Sequence, residues 1–255
     1  MIKDFLNKIN VYNLMIFNLI LFSIIGIIIF GYKKILLQLI LAVFTAGVLD
    51  NIIEYLKTKE FRIAKSGIIS GFFIALVLSE NQAWYVPVVA SIMAILGKNI
   101  GQYFMKKFFN YNSHIFNPAM FSIFISILIF KTNDGWWGAS NLLITLILGF
   151  ILLYKFNRFN LSLSFLIVYF IINSIYLTIN NSFNYSIFLN STLYFFAFFM
   201  IIEPKTSPTN TNTRIFYGII AGIIISLMHI FFPYYEFTLG LLLSNLTVPF
   251  LNKYF

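Results

Sequence analysis

The sequence predicts an all-α polytopic membrane protein, a single membrane domain over residues 1–255 with about ten transmembrane helices in two inverted five-helix repeats, several of them short or broken. Three observations predict it. The chain is 60% hydrophobic and only 10% charged, with a mean hydropathy of +0.89. A soluble domain of 255 residues has no interior large enough for that much apolar surface. Polar turns divide the apolar sequence into segments suited to a bilayer, and segments from the two halves repeat the same features in the same order.

Spans are expected near residues 11–31, 35–56, 66–79, 84–105, 118–130, 140–154, 161–179, 187–202, 214–232 and 237–251. The first is followed by no small-residue cleavage site, so it reads as a retained span and not a signal peptide. The second carries Asp50, with Glu54 a turn later at the interface. The third, fifth and tenth are short, because about thirteen helical residues reach only roughly 20 Å against a hydrocarbon core of about 30 Å. The fourth contains Lys98, in "AILGKNIGQYF". The fifth opens with "HIFNPAMF": Asn117 is a strong helix cap, and Pro118 suits the first helical position, where its missing N–H would be unpaired anyway. Before the sixth comes "NDGWWGASNLL", whose two tryptophans read as an interfacial anchor. Between the eighth and ninth lies the longest polar run, "EPKTSPTNTNTR", in which Pro204 ends one helix and Pro208, capped by Ser207, starts the next.

The net charge is +9. In a membrane protein this reflects the positive-inside rule, so the expected surroundings are lipid bilayer and no nucleic acid. Ten spans put both termini on one face. That face holds 13 of the 17 Lys and Arg: Lys3, Lys8, Lys57, Lys59, Arg62, Lys65, Lys106, Lys107, Lys155, Arg158, Lys205, Arg214 and Lys253. The other face holds Lys33, Lys34 and Lys131, and Lys98 falls inside a span. Both termini are therefore expected in the cytoplasm, with the protein in the plasma membrane. The absence of cysteine excludes disulfides, iron–sulfur clusters and thiolate metal sites. With two histidines, His114 and His229, a haem held by paired histidines is not expected; His114 reads as an interfacial hydrogen-bonding residue, and His229 stays open. No Gly-rich phosphate loop or catalytic triad pattern occurs, which leaves hydrolase chemistry without a basis.

"GFFIALVLSE" (71–80) is echoed by "YFFAFFMIIE" (194–203), each an aromatic pair, an apolar run and a glutamate, Glu80 or Glu203. A polar loop, a long Gly-containing span and a short span with Asn and Pro follow each. The repeats are 11–131 and 139–251. The third span matches the eighth, and this odd offset inverts one half; such repeats place a site where half-helix ends meet. Lys98 is a candidate for it, because a buried ammonium is costly and is normally paired or faces a polar cavity. It lies too far from the span's end for easy snorkelling. Asp50 is its candidate partner, or a cation or proton site together with Glu80 and Glu203. Lys205, Thr206 and Ser207, placed before a helix, suit a phosphate or carboxylate, with an ordinary cytoplasmic turn as the alternative.

"SGIISGFFIALVLSENQAWYVPVVASIMAILGKNIGQYF" followed by "HIFNPAMF" resembles the membrane subunit shared by two respiratory complexes, the sodium-pumping NADH:quinone oxidoreductase and the Rnf electron transport complex. Gly97, Lys98, Phe116, Asn117, Pro118 and Ala119 match that family's Gly-Lys pair and its Asn-x-Phe-Asn-Pro-Ala motif. "FFMIIEPKTSP" matches its Asp-Pro-x-Thr-Ser-Pro signature with Glu203 in place of the Asp, and Asn245 to Pro249 its closing Asn-x-x-x-Pro. The resemblance covers about residues 36–255. It implies a urea-transporter-like ten-span inverted repeat, a flavin cofactor (FMN or riboflavin), and partners from a membrane electron transport complex.

In that family flavin is commonly joined to a Thr in a Ser-Gly-Ala-Thr motif. "DGWWGAS" offers Asp134, Gly138, Ala139 and Ser140 in this pattern, with Trp137 where Ser or Thr is usual. On a second alignment, through "SLSF" in the seventh span, the attachment segment is missing. The resemblance thus implies cofactor binding by Lys98, Asn117, Pro118, Lys205, Thr206 and Ser207, or covalent attachment at Ser140. Two functions are expected: electron transfer across the membrane coupled to Na+ or H+, or transport of a small solute or a vitamin such as riboflavin on the same fold without redox chemistry.

Overall fold

The structure, a computed structural model, describes residues 9–61, 63–80 and 82–254, without the side chains of Lys34 and Tyr254. Lys3, Lys8 and Arg62 of the charge count lie outside the described residues. The helices are α1 (Val11–Phe30), α2 (Tyr32–Thr58), α3 (Lys65–Val77), α4 (Tyr85–Phe109), α5 (Pro118–Phe130) and α6 (Leu142–Phe156). They continue as α7 (Phe159–Ile179), α8 (Ser191–Phe195, prolonged by a π-turn over Phe196–Met200), α9 (Thr211–Phe231), α10 (Glu236–Asn245) and α11 (Val248–Tyr254). Among the described residues no strand forms, and Leu78 and Asp134 share one isolated antiparallel bridge. α1, α4, α7, α9 and the Ile35–Thr58 part of α2 are long and apolar enough to cross a bilayer, while α3, α5, α6 and α8 are shorter apolar helices. The chain is a multi-pass membrane protein.

Local chemistry sets several boundaries. Asn10 caps α1 by accepting from the Tyr12 N–H at 2.9 Å, and Gly31, at φ 89°, makes the sharp turn into α2. Asn141 caps α6 through the Ile144 N–H at 3.0 Å. Two expectations are corrected. The tenth span is two helices, α10 and α11, broken at Leu246–Thr247, because Pro249 has no N–H to continue the ladder. Nor does Pro208 start a helix: α9 begins at Thr211, capped by Asn210, and Ser207 lies outside it.

The chain divides into two compact units, Met1–Ile100 with Pro118–Ser140, and Gly101–Asn117 with Asn141–Phe255. In unit 1, α3 packs on α2 so closely that only glycine fits. A Cβ on Gly71 would lie 2.7 Å from the Ala42 carbonyl oxygen, and one on Gly67 2.8 Å from that of Ala46. At thirteen residues α3 stops short, and its last carbonyls are met by other parts of the unit. Gln38 Nε2 donates to Ala75 O at 2.8 Å and Leu78 O at 3.2 Å, and the Gly135 and Trp136 N–H groups donate to Val77 O at 2.8 and 3.0 Å. The Asp134–Trp137 loop is thus a plug on a half-helix end. Trp136 and Trp137 are 8% and 1% exposed, which corrects their reading as an interfacial anchor: the Trp137 ring fills the space that a side chain on Gly26 would need.

Unit 2 uses the same close approach between α9 and α7. Cβ atoms on Gly218 and Gly222 would meet Leu161 O at 2.5 Å and Val168 Cβ at 2.8 Å. The π-turn of α8 changes the bonding partners of its carbonyls, and Ser162 Oγ donates to Ala197 O at 2.8 Å. Phe196 lies between Phe165 and Phe237, with ring centroids 5.5 and 4.9 Å away, and so fixes the direction in which the chain leaves α8 toward Glu203.

Candidate functional site

In each unit one of the motifs singled out above meets at a carboxylate held by neighbouring side chains. In unit 1 it is Asp50, whose side chain is 5% exposed. The close packing of Gly67 on α2 brings the first turn of α3 beside it. Lys98 Nζ reaches both carboxylate oxygens, at 2.7 and 2.6 Å, and donates to Ser66 Oγ at 2.7 Å, while Ser66 Oγ donates to Asp50 Oδ2 at 3.0 Å. Every member of this triad is bonded to the other two. Its charges cancel, which is how a lysine and an aspartate persist within apolar helices.

In unit 2 the carboxylate is Glu203, at the end of α8. Its Oε2 accepts from Asn117 Nδ2 and from Thr206 Oγ1, both at 2.9 Å. Asn245, on the last turn of α10, is fully buried: its Oδ1 accepts from the Asn117 N–H at 3.0 Å, and its Nδ2 donates to Thr206 O at 3.0 Å and Tyr217 Oη at 2.9 Å. Ser207 Oγ donates to Glu203 O at 2.7 Å. Two arginines hold the turn from outside. Arg158 Nη1 donates to Ser207 Oγ at 3.0 Å and Pro208 O at 2.7 Å, and Arg214 donates to Pro208 O and Thr209 O. Burial, and next the positive Arg214, push the Arg158 guanidinium down to about 10, which leaves it protonated at neutral pH. Lys205 Nζ donates to Asn112 O at 3.0 Å, and the His114 N–H to Lys205 O at 3.1 Å, so residues 112–117 lie along this turn.

The structure therefore brings Asn117, Glu203, Lys205, Thr206 and Ser207 together in unit 2, and pairs Lys98 with Asp50 in unit 1. Pro118 opens α5 and is buried. Glu80 stands apart, beside a cavity lined also by Gln38. Ser140 is exposed, directly after the buried turn Trp137–Ala139.

Sequence reasoning missed the clamping role of Arg158, which counted only as a surface charge, and the capping role of Gln38. It also left His229 open: His229 Nδ1 lies 2.9 Å from Glu236 Oε2, and Tyr169 Oη donates to Glu236 Oε1 at 2.7 Å. A glutamate just after "FFPYY", at a helix start, was the available signal. Among the described residues no group of three or more metal-ligating side chains forms. The profile described as the NQR2, RnfD, RnfE family matches residues 6–141 and 124–255. No curated protein matches the chain significantly.

Proposed function

The chain belongs to the NQR2, RnfD, RnfE family, and from that premise we propose that it is the membrane subunit of an Rnf- or Nqr-type electron transport system, moving electrons across the plasma membrane with movement of Na+ or H+. The observation that carries this reading is that both motif sets of the resemblance supply groups bonded to a carboxylate. "GK" supplies the Lys98 partner of Asp50, and "FN" and "EPKTSP" meet at Glu203. Asp50 is the ion or proton site in this reading. Its counter-charge is the Lys98 ammonium, so an arriving proton or Na+ competes with Lys98, which keeps Ser66 as an alternative acceptor.

Flavin, as FMN or riboflavin, is the redox group that the family implies, and it would supply the electron-carrying ring. The exposed Ser140 hydroxyl fits attachment through a phosphodiester. The Thr206–Ser207 turn fits a phosphate less well: both hydroxyls are donated to Glu203, whose carboxylate adds a like charge. Asn117 anchors that turn, Pro118 starts α5, Lys205 is the half-buried cation beside the turn, and termini in the cytoplasm put the turn on the inner side. The absorption spectrum of the purified protein tests the reading. A flavin spectrum is expected, with the chromophore staying on the chain after denaturation if Ser140 carries it; colourless protein that releases no flavin would overturn it. The departure of "DGWWGAS" from the usual Thr motif favours the second reading, solute or vitamin transport. Reductant-independent riboflavin flux into liposomes would establish that one.

A further inference from the structure

Glu236 is the first residue of α10, and Asn245, which reaches into the Glu203 cluster of unit 2, is the last. Three helices meet at the Glu236 carboxylate. Tyr169 Oη of α7 donates to its Oε1 at 2.7 Å, and His229 Nδ1 of α9 lies 2.9 Å from its Oε2. Tyr169 is 1% exposed, while the side chains of Glu236 and His229 are 12% and 33% exposed. The cluster therefore runs from a buried hydroxyl, through a carboxylate, to an imidazole at the surface, in the last turns of α9.

The charges here are one-sided. The unpaired N–H groups at the start of α10 favour an ionised Glu236. Among the described residues no Lys or Arg pairs with it, so its cationic partner is the protonated imidazole of His229. The turn between α9 and α10 adds Tyr234 and Tyr235. Lys253 of α11 stands at the other end of α9, where the neighbouring Asn252 Oδ1 accepts from the Thr209 N–H. Histidine is the side chain whose charge ordinarily changes between pH 5 and 8. With His229 protonated, the pair is neutral. With His229 neutral, a largely buried carboxylate is left with hydrogen bonds alone, which hold it less well.

α10 carries the consequence to its other end. A Cβ on Gly240 would lie 2.7 Å from Ile225 Cγ1, so α10 is seated directly on α9. Phe237, next to Glu236, packs on Phe196 with ring centroids 4.9 Å apart. A ten-residue helix is a stiff element of roughly 15 Å. A change in how Glu236 is held therefore reaches Asn245, whose side chain bonds the Asn117 N–H, Thr206 O and Tyr217 Oη.

We propose that the Tyr169–Glu236–His229 cluster is a proton-binding site whose occupancy sets the position of α10, and with it the fit of Asn245 into the Glu203 cluster. The proposal holds whether the chain carries electrons or a solute.

The absence of cysteine allows a single label on the full-length protein. Leu246→Cys, at the exposed residue that follows α10, carries a bimane fluorophore, and its emission is followed in detergent from pH 5 to 8. A sigmoidal shift is expected. His229→Gln keeps a hydrogen-bond donor but cannot take up the charge, so it is expected to hold the emission at its high-pH value throughout. Its melting temperature at pH 8 should equal that of the labelled parent. Glu236→Gln is expected to abolish the shift as well. The same label at Leu163→Cys, exposed on α7, should show none. A labelled parent with no shift would overturn the proposal. So would a shift that persists in both variants, or one of equal size at Leu163→Cys.

Discussion

Asp50 in unit 1 is buried and Glu203 in unit 2 half-buried, and the donors that reach the two carboxylates differ. Asp50 receives a full positive charge from Lys98, reinforced by Ser66. Glu203 receives an amide from Asn117 and a hydroxyl from Thr206. The first arrangement cancels a charge, and the second distributes it over hydrogen bonds drawn from separate helices and turns. The first is the more fragile, because a lone buried ion costs more than a lone buried dipole.

Breaking the ion pair is expected to give the largest effect. Lys98→Met leaves Asp50 uncompensated and is expected to cost about 3–5 kcal/mol, read as a lowered melting temperature in detergent. Adding Asp50→Asn to that variant should recover most of the loss; no recovery would show that Lys98 matters through packing. Next comes Asn245→Leu, which strands the Thr206 carbonyl, the Tyr217 hydroxyl and the Asn117 N–H, at about 1–3 kcal/mol for each group left unsatisfied. Asn117→Leu should cost less than Asn245→Leu, because Glu203 keeps Thr206; an equal cost would show that Thr206 alone does not satisfy the Glu203 carboxylate. Gly71→Ala in unit 1 and Gly218→Ala in unit 2 force backbone apart and are expected to cost about 1–3 kcal/mol each by thermal unfolding. The smallest effect is expected from Ser162→Ala, about 0.5–1.5 kcal/mol, from the carbonyl that the π-turn leaves to it.

Much of this was legible in the chain. Apolar run lengths located the helices, the shortness of α3 and α5 followed from counting, and Lys98 announced a partner because an ammonium inside a span must have one. Asp50 was named as that partner since it is an acidic residue within a span. Other features were not legible. The tryptophan pair has the composition of an interfacial anchor, and only the fold shows Trp137 facing the bare backbone of Gly26. Pro208 has the spacing of a helix start, but Arg158 and Arg214 hold its carbonyl in a turn and Asn210 captures the helix start instead. The glycine pairs in "GIISG" and "GIIAG" were visible but did not reveal which helix they approach.

By itself the sequence determined that this chain lives in a bilayer, which stretches form most of its helices, and which family it resembles, since hydropathy and motifs are local properties of the chain. Only the tertiary structure decided that Asp50, Ser66 and Lys98 form one neutral triad, that Glu203 is held by Asn117 and Thr206, and that Tyr169 and His229 meet at Glu236. Those outcomes depend on which backbone carbonyls and charges lose their water together, and that is set by contacts between residues far apart in the chain.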